Sequence, residues 1–179
     1  MIDVVFINGT VGSGKTSAAA ALGALEAATE HPHAVIDADS VRRFWPAPHD
    51  DPFQIEVELA NLRDLAANYR AAGAQHLIVA GVIEEPAEVP RYAMALQAER
   101  MLVCRLLADA SVLEARLRAR HTDDRETRDW HLNRAGELAA ILDAAAVDDV
   151  VIDTTARTPR EVATLIAAAA GWASASSRP

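Results

Sequence analysis

The residues best suited to chemistry lie in a short glycine-rich segment near the N-terminus. Residues 9–16 have the sequence GTVGSGKT, which matches the pattern G-x-x-x-x-G-K-[ST] at Gly9, Gly14, Lys15 and Thr16. Glycines allow the backbone to wrap closely around a phosphate and to point its N–H groups inward. A lysine at this position reaches the β- and γ-phosphates, and the hydroxyl that follows it is a ligand for Mg²⁺. The segment therefore predicts a nucleotide site formed by Gly9, Thr10, Val11, Gly12, Ser13, Gly14, Lys15, Thr16 and Ser17.

The surroundings of this segment support the same interpretation. It follows an apolar run at residues 3–8, typical of a buried strand, and it opens an alanine-rich helical pattern at residues 15–29. A phosphate placed between a strand and a helix in this way is also attracted by the positive end of the helix dipole.

A pair of carboxylates follows the second predicted strand, residues 34–37. Asp37 and Asp39 are two residues apart, so both side chains point the same way if the extended conformation persists. Ligands of open α/β sheets bind at this carboxyl edge. One of the two carboxylates could then accept the proton of an attacking hydroxyl, and its neighbour could order Mg²⁺ through water. The alternative is that Asp39 caps a short helix at residues 40–45.

Lysine and cysteine are so rare that they exclude several chemistries. Of the 17 basic residues, 16 are arginine and one is Lys15. Schiff-base and pyridoxal-phosphate mechanisms, biotin or lipoyl attachment and the guanine-binding Asn-Lys-x-Asp motif would all have to use that single residue. The single cysteine, Cys104, excludes a disulfide within the chain, a cysteine zinc site and a redox pair, and is expected to be an inert buried thiol.

The composition of the 179 residues narrows the class of protein further. A net charge of −9 argues against binding to a nucleic acid polymer, which requires clustered Lys and Arg. No apolar run reaches the 18 to 20 residues that a membrane span needs, and the N-terminus lacks the basic start of a secretory signal. We therefore expect a soluble, cytoplasmic protein with one domain over residues 1–172 and a flexible tail at residues 173–179. The sequence does not indicate an oligomeric state.

Short apolar runs alternate with longer helical patterns along the chain. The predicted strands are residues 3–8, 34–37, 77–83, 101–107 and 150–153, and the predicted helices are residues 15–29, 53–72, 87–99, 110–120, 129–144 and 159–172. Right-handed crossovers place helices on both faces of a parallel sheet. The expected fold is an α/β three-layer sandwich around a five-stranded parallel sheet.

GTVGSGKT followed about 20 residues later by IDADSVR resembles the P-loop small-molecule kinases, including adenylylsulfate, shikimate and gluconate kinases and chloramphenicol phosphotransferase. The resemblance implies a P-loop NTPase fold like that of the nucleoside-monophosphate kinases, with ATP and Mg²⁺ as cofactors. It also implies Asp39 as the catalytic base, Asp37 as its partner on the metal side, and Arg42 as a substrate contact.

Two further segments resemble parts of these kinases. ARLRAR followed by HTDDR is similar to the entry of an arginine-rich lid, here about residues 118–130, in which Arg116 would stack on adenine while Arg120 and Arg125 fold over the phosphates. A solvated helix with i,i+4 ion pairs is the alternative for any single arginine. DTTARTPREV resembles the loop that covers the other side of the adenine, through Thr155, Arg157 and Pro159. It could also be a turn in which Thr158 caps a helix.

The third strand departs from the P-loop pattern. Many P-loop enzymes have a metal-ordering Asp at its end, whereas this chain has Gly81 and Glu84 nearby, so metal ordering falls to Thr16 and the aspartate pair. Glu84 and Glu85 could line the acceptor pocket with Phe44, Trp45 and His49, which would make the pocket acidic and aromatic and favour a polar or cationic acceptor. Solvated loop charges are the alternative for both glutamates.

These observations favour transfer of the γ-phosphate of ATP to a hydroxyl of a small molecule, a metabolite or an antibiotic-like compound. Two alternatives stay open: a nucleotide-binding regulator with slow ATPase activity that acts through a protein partner, and a kinase of nucleosides or nucleotides.

Overall fold

Five short apolar segments form one parallel sheet in this computed structural model, which describes residues 1–120 and 125–172. The strands are β1 (Val4–Gly9), β2 (His33–Asp37), β3 (His76–Ala80), β4 (Met101–Leu107) and β5 (Val150–Asp153). Their order in the sheet is β2-β3-β1-β4-β5, and all pairs are parallel. The predicted α/β fold is confirmed.

Helices cover both faces of this sheet. They are α1 (Lys15–Ala28), α2 (Ala38–Val41), α3 (Ile55–Ala71), α4 (Val89–Ala95), α5 (Ala110–Arg120), α6 (Arg125–Ala145) and α7 (Pro159–Ala170), with a 3-10 turn at Pro86–Glu88 before α4. Among these helices, none combines the length and apolar character of a membrane-spanning segment. The predicted tail, residues 173–179, and residues 121–124 of the predicted lid lie outside the described residues.

The side chains of β1 point alternately to the two faces of the sheet and contribute to a separate core layer on each face. Val5 and Ile7 pack with Leu22 of α1 and with α7, whereas Val4 and Phe6 pack with α3 and α4 on the opposite face. Cys104 lies in the first layer, and burial raises the pKa of its thiol to about 12, as expected of an inert thiol.

The third strand ends at Ala80 instead of at the predicted residue 83. Gly81 N still donates to Ile7 O at 3.1 Å, but a Cβ at Gly81 would lie 2.7 Å from Cζ of Phe6 and 3.0 Å from Cβ of Ala38. Packing at position 81 is therefore tight, and a larger side chain there would collide with Phe6 and Ala38.

The sheet order fixes where a ligand can bind. β1 lies in the centre between β3 and β4. The chain leaves β1 for β2 on the β3 side and later crosses from β3 to β4 on the other side, which opens a crevice at the carboxyl edge beside Gly9. The ends of β1 and β2 therefore bring the glycine-rich loop and Asp37 to the same edge.

Candidate active site

The glycine-rich loop has the backbone conformation that its sequence predicts. Gly9, Gly12 and Gly14 have φ values of 141°, 83° and 98°, which residues with a side chain rarely adopt, and α1 begins immediately afterwards at Lys15. The Ser13 hydroxyl is buried and has no hydrogen-bond partner within the described residues. An oxygen of a bound phosphate would supply the missing partner, so the loop fits a nucleotide.

Gly9 is the tightest position of the loop. A Cβ there would lie 2.7 Å from the Leu106 carbonyl oxygen and 2.8 Å from Oγ of Ser13. We expect Gly9→Ala to lower the free energy of unfolding by about 2 to 4 kcal/mol, because it adds both strain at positive φ and a backbone collision. Urea unfolding followed by circular dichroism measures this change.

Gly136 in α6 provides the control for that substitution. An added Cβ meets nothing within 4 Å there, so Gly136→Ala should raise the free energy of unfolding by up to about 1 kcal/mol through helix propensity. If both variants unfolded at the same denaturant concentration as the unsubstituted protein, the close packing at Gly9 would be refuted.

Lys15 lies against its own loop. Its Nζ donates to the carbonyl oxygens of Gly9 at 2.8 Å and Thr10 at 3.1 Å. The ammonium is thus held at the loop, where an incoming phosphate would meet it.

The backbone that positions the two aspartates differs from the extended conformation considered in the sequence analysis. The chain does not stay extended after Asp37, because α2 begins at Ala38, so Asp37 is the N-cap residue and Asp39 lies in the first turn. Asp37 accepts a hydrogen bond from the Thr16 hydroxyl, Oγ1 to Oδ2, at 3.2 Å. Both carboxylates nevertheless line the same cavity as Lys15.

That cavity has a volume of about 850 Å³, within the range of roughly 300 to 1,000 Å³ typical of small-molecule sites. Its lining includes every loop residue from Thr10 to Ser17, together with Asp37 and Asp39. Further lining comes from Arg42, Arg43, Pro52, Phe53, Gln54, Arg116, Trp130, His131, Arg157 and Pro159. The cavity therefore extends beyond the loop to a second set of walls.

Phe44, Trp45 and Glu84 are not among the lining residues within the described part of the chain. Trp45 is 89% exposed, and Glu84 forms an ion pair with Arg134 that compensates its charge. The expectation of an acidic pocket is therefore not met, and two residues that the sequence did not single out, Phe53 and Trp130, provide the aromatic surface instead.

Phe53 is held in place from outside the cavity. The Arg134 guanidinium lies over its ring, 5.0 Å from the centroid, and is itself fixed by the ion pair with Glu84. The sequence signal for this role is weak: Phe53 directly follows the loop segment 45–52, which contains three prolines, and its partner Arg134 lies 81 positions further along.

Arg116 joins two loops at the nucleotide side. It donates to the carbonyl oxygens of Gly12 at 3.2 Å and Thr154 at 2.9 Å, and to the Thr154 hydroxyl at 3.1 Å. Stacking of Arg116 on adenine stays a prediction, since in this structure its guanidinium lies against the loop carbonyls. Buried Thr154 was not predicted from the sequence.

The segment after β5 caps a helix and also lines the cavity in part, whereas its contact with adenine stays a prediction. Thr158 caps α7 through a reciprocal arrangement with Glu161, while Arg157 and Pro159 line the cavity. Thr155 instead accepts a hydrogen bond from the backbone N–H of Asp109 at 2.9 Å and does not line the cavity.

Asn8 is a further residue that sequence reasoning missed. It is fully buried, its Oδ1 accepts from the backbone N–H groups of Gly9 at 2.9 Å and Ile83 at 3.3 Å, and its Nδ2 donates to Asp148 at 3.2 Å. It thereby ties the start of the glycine-rich loop to the segment after β3.

The remaining predicted residues belong to the lid or to the metal site. The side chains of Arg120 and Arg125 lie outside the described part of the chain, so their contacts with phosphates stay predictions. Within the described residues, no group of three or more His, Cys, Asp or Glu side chains could hold a metal by itself. Thr16 and Asp37 have oxygen atoms of the kind that Mg²⁺ prefers, and their role as its ligands stays a prediction.

Comparison with solved structures places this fold among known proteins. The tunicamycin resistance protein of Deinococcus radiodurans is similar with a TM-score of 0.64 and 22% identity over 97% of this chain and 98% of that one. The shikimate kinase of Acinetobacter baumannii, solved with shikimate, is similar with a TM-score of 0.60 and 17% identity, over 93% of this chain and 91% of that one. A gluconokinase of Sinorhizobium meliloti is similar with a TM-score of 0.59 and 16% identity, over 94% of this chain and 91% of that one.

The family assignment comes from a sequence model. No curated protein matches the chain. The model of the AAA domain family matches residues 4–140, which include the glycine-rich loop, the aspartate pair and the start of α6. The chain therefore belongs to the AAA domain family, and its fold is the P-loop α/β fold of the small-molecule kinases.

Proposed function

We propose that this protein transfers the γ-phosphate of ATP to a hydroxyl of a small molecule. The observation that carries the proposal is that one cavity contains the P-loop, the Thr16–Asp37 pair and a second carboxylate, Asp39, and then extends to the walls formed by Phe53 and Trp130. A site for ATP hydrolysis alone would not need the additional walled space.

Each group has a role that follows from its position. Lys15 binds the phosphates of ATP as a compact charge, and the backbone N–H groups of the loop orient them. Thr16 and Asp37 would hold Mg²⁺, and the chemistry that the ion would supply when bound is compensation of negative charge on the phosphoryl oxygens. Asp39 accepts the proton of the acceptor hydroxyl as that oxygen bonds to phosphorus.

The neighbours suggest which acceptors to test first. Two of them are named for kinases of hydroxylated acids, and one is named for resistance to tunicamycin. Because their sequence identity to this chain is low, the similarity extends to the fold and not to the acceptor, which an experiment has to identify.

A screen of ATP consumption against pooled acceptors tests the proposal. The pools contain shikimate and gluconate, antibiotics that include tunicamycin and chloramphenicol, and nucleosides, with and without Mg²⁺. We expect one pool to stimulate ATP consumption and Asp39→Asn to abolish the stimulation. ATP hydrolysis that no pool stimulates and that Asp39→Asn leaves unchanged would instead favour a regulatory ATPase.

A further inference from the structure

Glu58 is a buried charge behind the cavity wall. It lies in the first turns of α3, is only 1% exposed and does not line the cavity. Glutamate is almost never fully buried without partners, and here it has two. The Tyr92 hydroxyl donates to Oε1 at 2.7 Å, and Arg42 Nη1 lies 3.2 Å from Oε2.

This arrangement is a poor way to stabilise a fold. Burial raises the pKa of Glu58, while the hydrogen bond from Tyr92 and the charge of Arg42 lower it. Well-packed apolar residues often stabilise a protein as much as a buried ion pair or more. A buried pair does, however, hold its members in one geometry, and the member that faces the cavity here is Arg42.

Arg42 connects Glu58 to the candidate base and to the cavity wall. Its Nη2 forms an ion pair with Oδ1 of Asp39, and its Nη1 donates to the Phe53 carbonyl oxygen at 3.4 Å. The guanidinium is planar and rigid, so the ion pair with Glu58 also fixes the direction of the contacts with Asp39 and the Phe53 carbonyl. Glu58 on α3 thereby reaches α2 and the loop that contains Phe53.

We propose that Glu58 is a positioning residue that acts through Arg42 on both Asp39 and Phe53. Tyr92 in turn holds Glu58, and the same ring packs edge-on against Phe6 of β1 at 5.0 Å, which anchors the whole chain of contacts in the core. Arg42, which the family resemblance implies to be a substrate contact, then serves to orient the base. The role assigned to Asp39 rests on the proposed function, whereas the effect on Phe53 does not.

Fluorine NMR tests the effect on Phe53 without an acceptor. The chain has only three phenylalanines, so labelling with 4-fluorophenylalanine gives three resonances, which Phe44→Tyr and Phe53→Tyr assign. We expect Glu58→Gln to shift or broaden the Phe53 resonance, because the neutral amide no longer balances Arg42. Tyr92→Phe should do so more weakly, and it serves as the deciding variant if Glu58→Gln does not fold.

Glu26→Gln is the matched control. Glu26 is also a helical glutamate buried to a similar extent, but it pairs with His76 at 2.6 Å, away from the cavity. Both substitutions should lower the melting temperature, whereas only Glu58→Gln should move the Phe53 resonance. An unchanged Phe53 resonance in Glu58→Gln, or an equal shift in Glu26→Gln, would overturn the proposal.

Kinetics with the acceptor found in the screen test the effect on Asp39. We expect Glu58→Gln to lower kcat about tenfold or more and to leave the KM for ATP within about twofold, since the P-loop is untouched. Glu26→Gln should leave both values near those of the unsubstituted protein. If no acceptor takes up phosphate, the proposed function fails; if an acceptor is phosphorylated and Asp39→Asn lowers turnover but Glu58→Gln does not, the positioning role fails alone.

Discussion

Replacing Lys15 by alanine is expected to reduce phosphoryl transfer at least about a thousandfold while the protein stays folded. The residue supplies the only lysine charge in the chain, and it lies at the loop where the β- and γ-phosphates are expected to bind. Its hydrogen bonds to the loop carbonyls are made by a partly buried side chain, so we expect their loss to leave the protein folded. The measurements are kcat with ATP and the acceptor, and the melting temperature.

Two further variants make this experiment specific. Lys15→Arg should also be nearly inactive, because a planar guanidinium cannot replace a compact ammonium between two phosphates. Arg63→Ala removes a positive charge from an exposed part of α3 and should leave turnover unchanged. Normal turnover in Lys15→Ala would refute the nucleotide site itself.

Asp39→Asn should lower kcat by a factor of roughly 100 to 10,000, the range for loss of a general base. The amide has nearly the same shape and can still accept a hydrogen bond from Arg42, but it cannot take a proton from a hydroxyl. ATP affinity should change little. Asp64→Asn, at an exposed position away from the cavity, is the matched control.

Asp37→Asn should give a different result and thus separates the roles of the two aspartates. Asp37 contacts Thr16, so weakening it should raise the Mg²⁺ concentration needed for half-maximal activity. If Asp37→Asn abolished turnover at saturating Mg²⁺ while Asp39→Asn remained active, the two roles would have to be exchanged.

The sheet and the nucleotide loop could be predicted because their signals are local. Apolar runs of four to seven residues predict the strands, and the spacing of Gly9, Gly14, Lys15 and Thr16 is contiguous in sequence. The loop directly follows β1 and therefore lies at the carboxyl edge of the sheet. Small errors in the predicted helix boundaries do not change that position.

The cavity walls beyond the glycine-rich loop could not be predicted in the same way. The sequence leaves Glu84 open between a pocket residue and a solvated loop charge, whereas in the fold it pairs with Arg134, 50 positions away. Glu58 and Tyr92 are 34 positions apart and look like ordinary helical residues in sequence. Charges that are compensated by distant partners cannot be distinguished from free ones without the fold.

The conformation after β2 illustrates a similar limit. A spacing of two residues places Asp37 and Asp39 on one side only in an extended chain, and the premise was wrong because α2 begins at Ala38. The two carboxylates still line one cavity because the turn into α2 occurs at the carboxyl edge.

The destination of the γ-phosphate tests the central proposal most directly. Protein, Mg²⁺ and ATP labelled with ³²P in the γ-phosphate are incubated with the stimulating pool, and labelled products are separated by chromatography. We predict that the label appears on an organic acceptor, and that Asp39→Asn and Lys15→Ala abolish this transfer. Label found only in inorganic phosphate, at a rate that Asp39→Asn does not change, would contradict the proposed phosphotransferase.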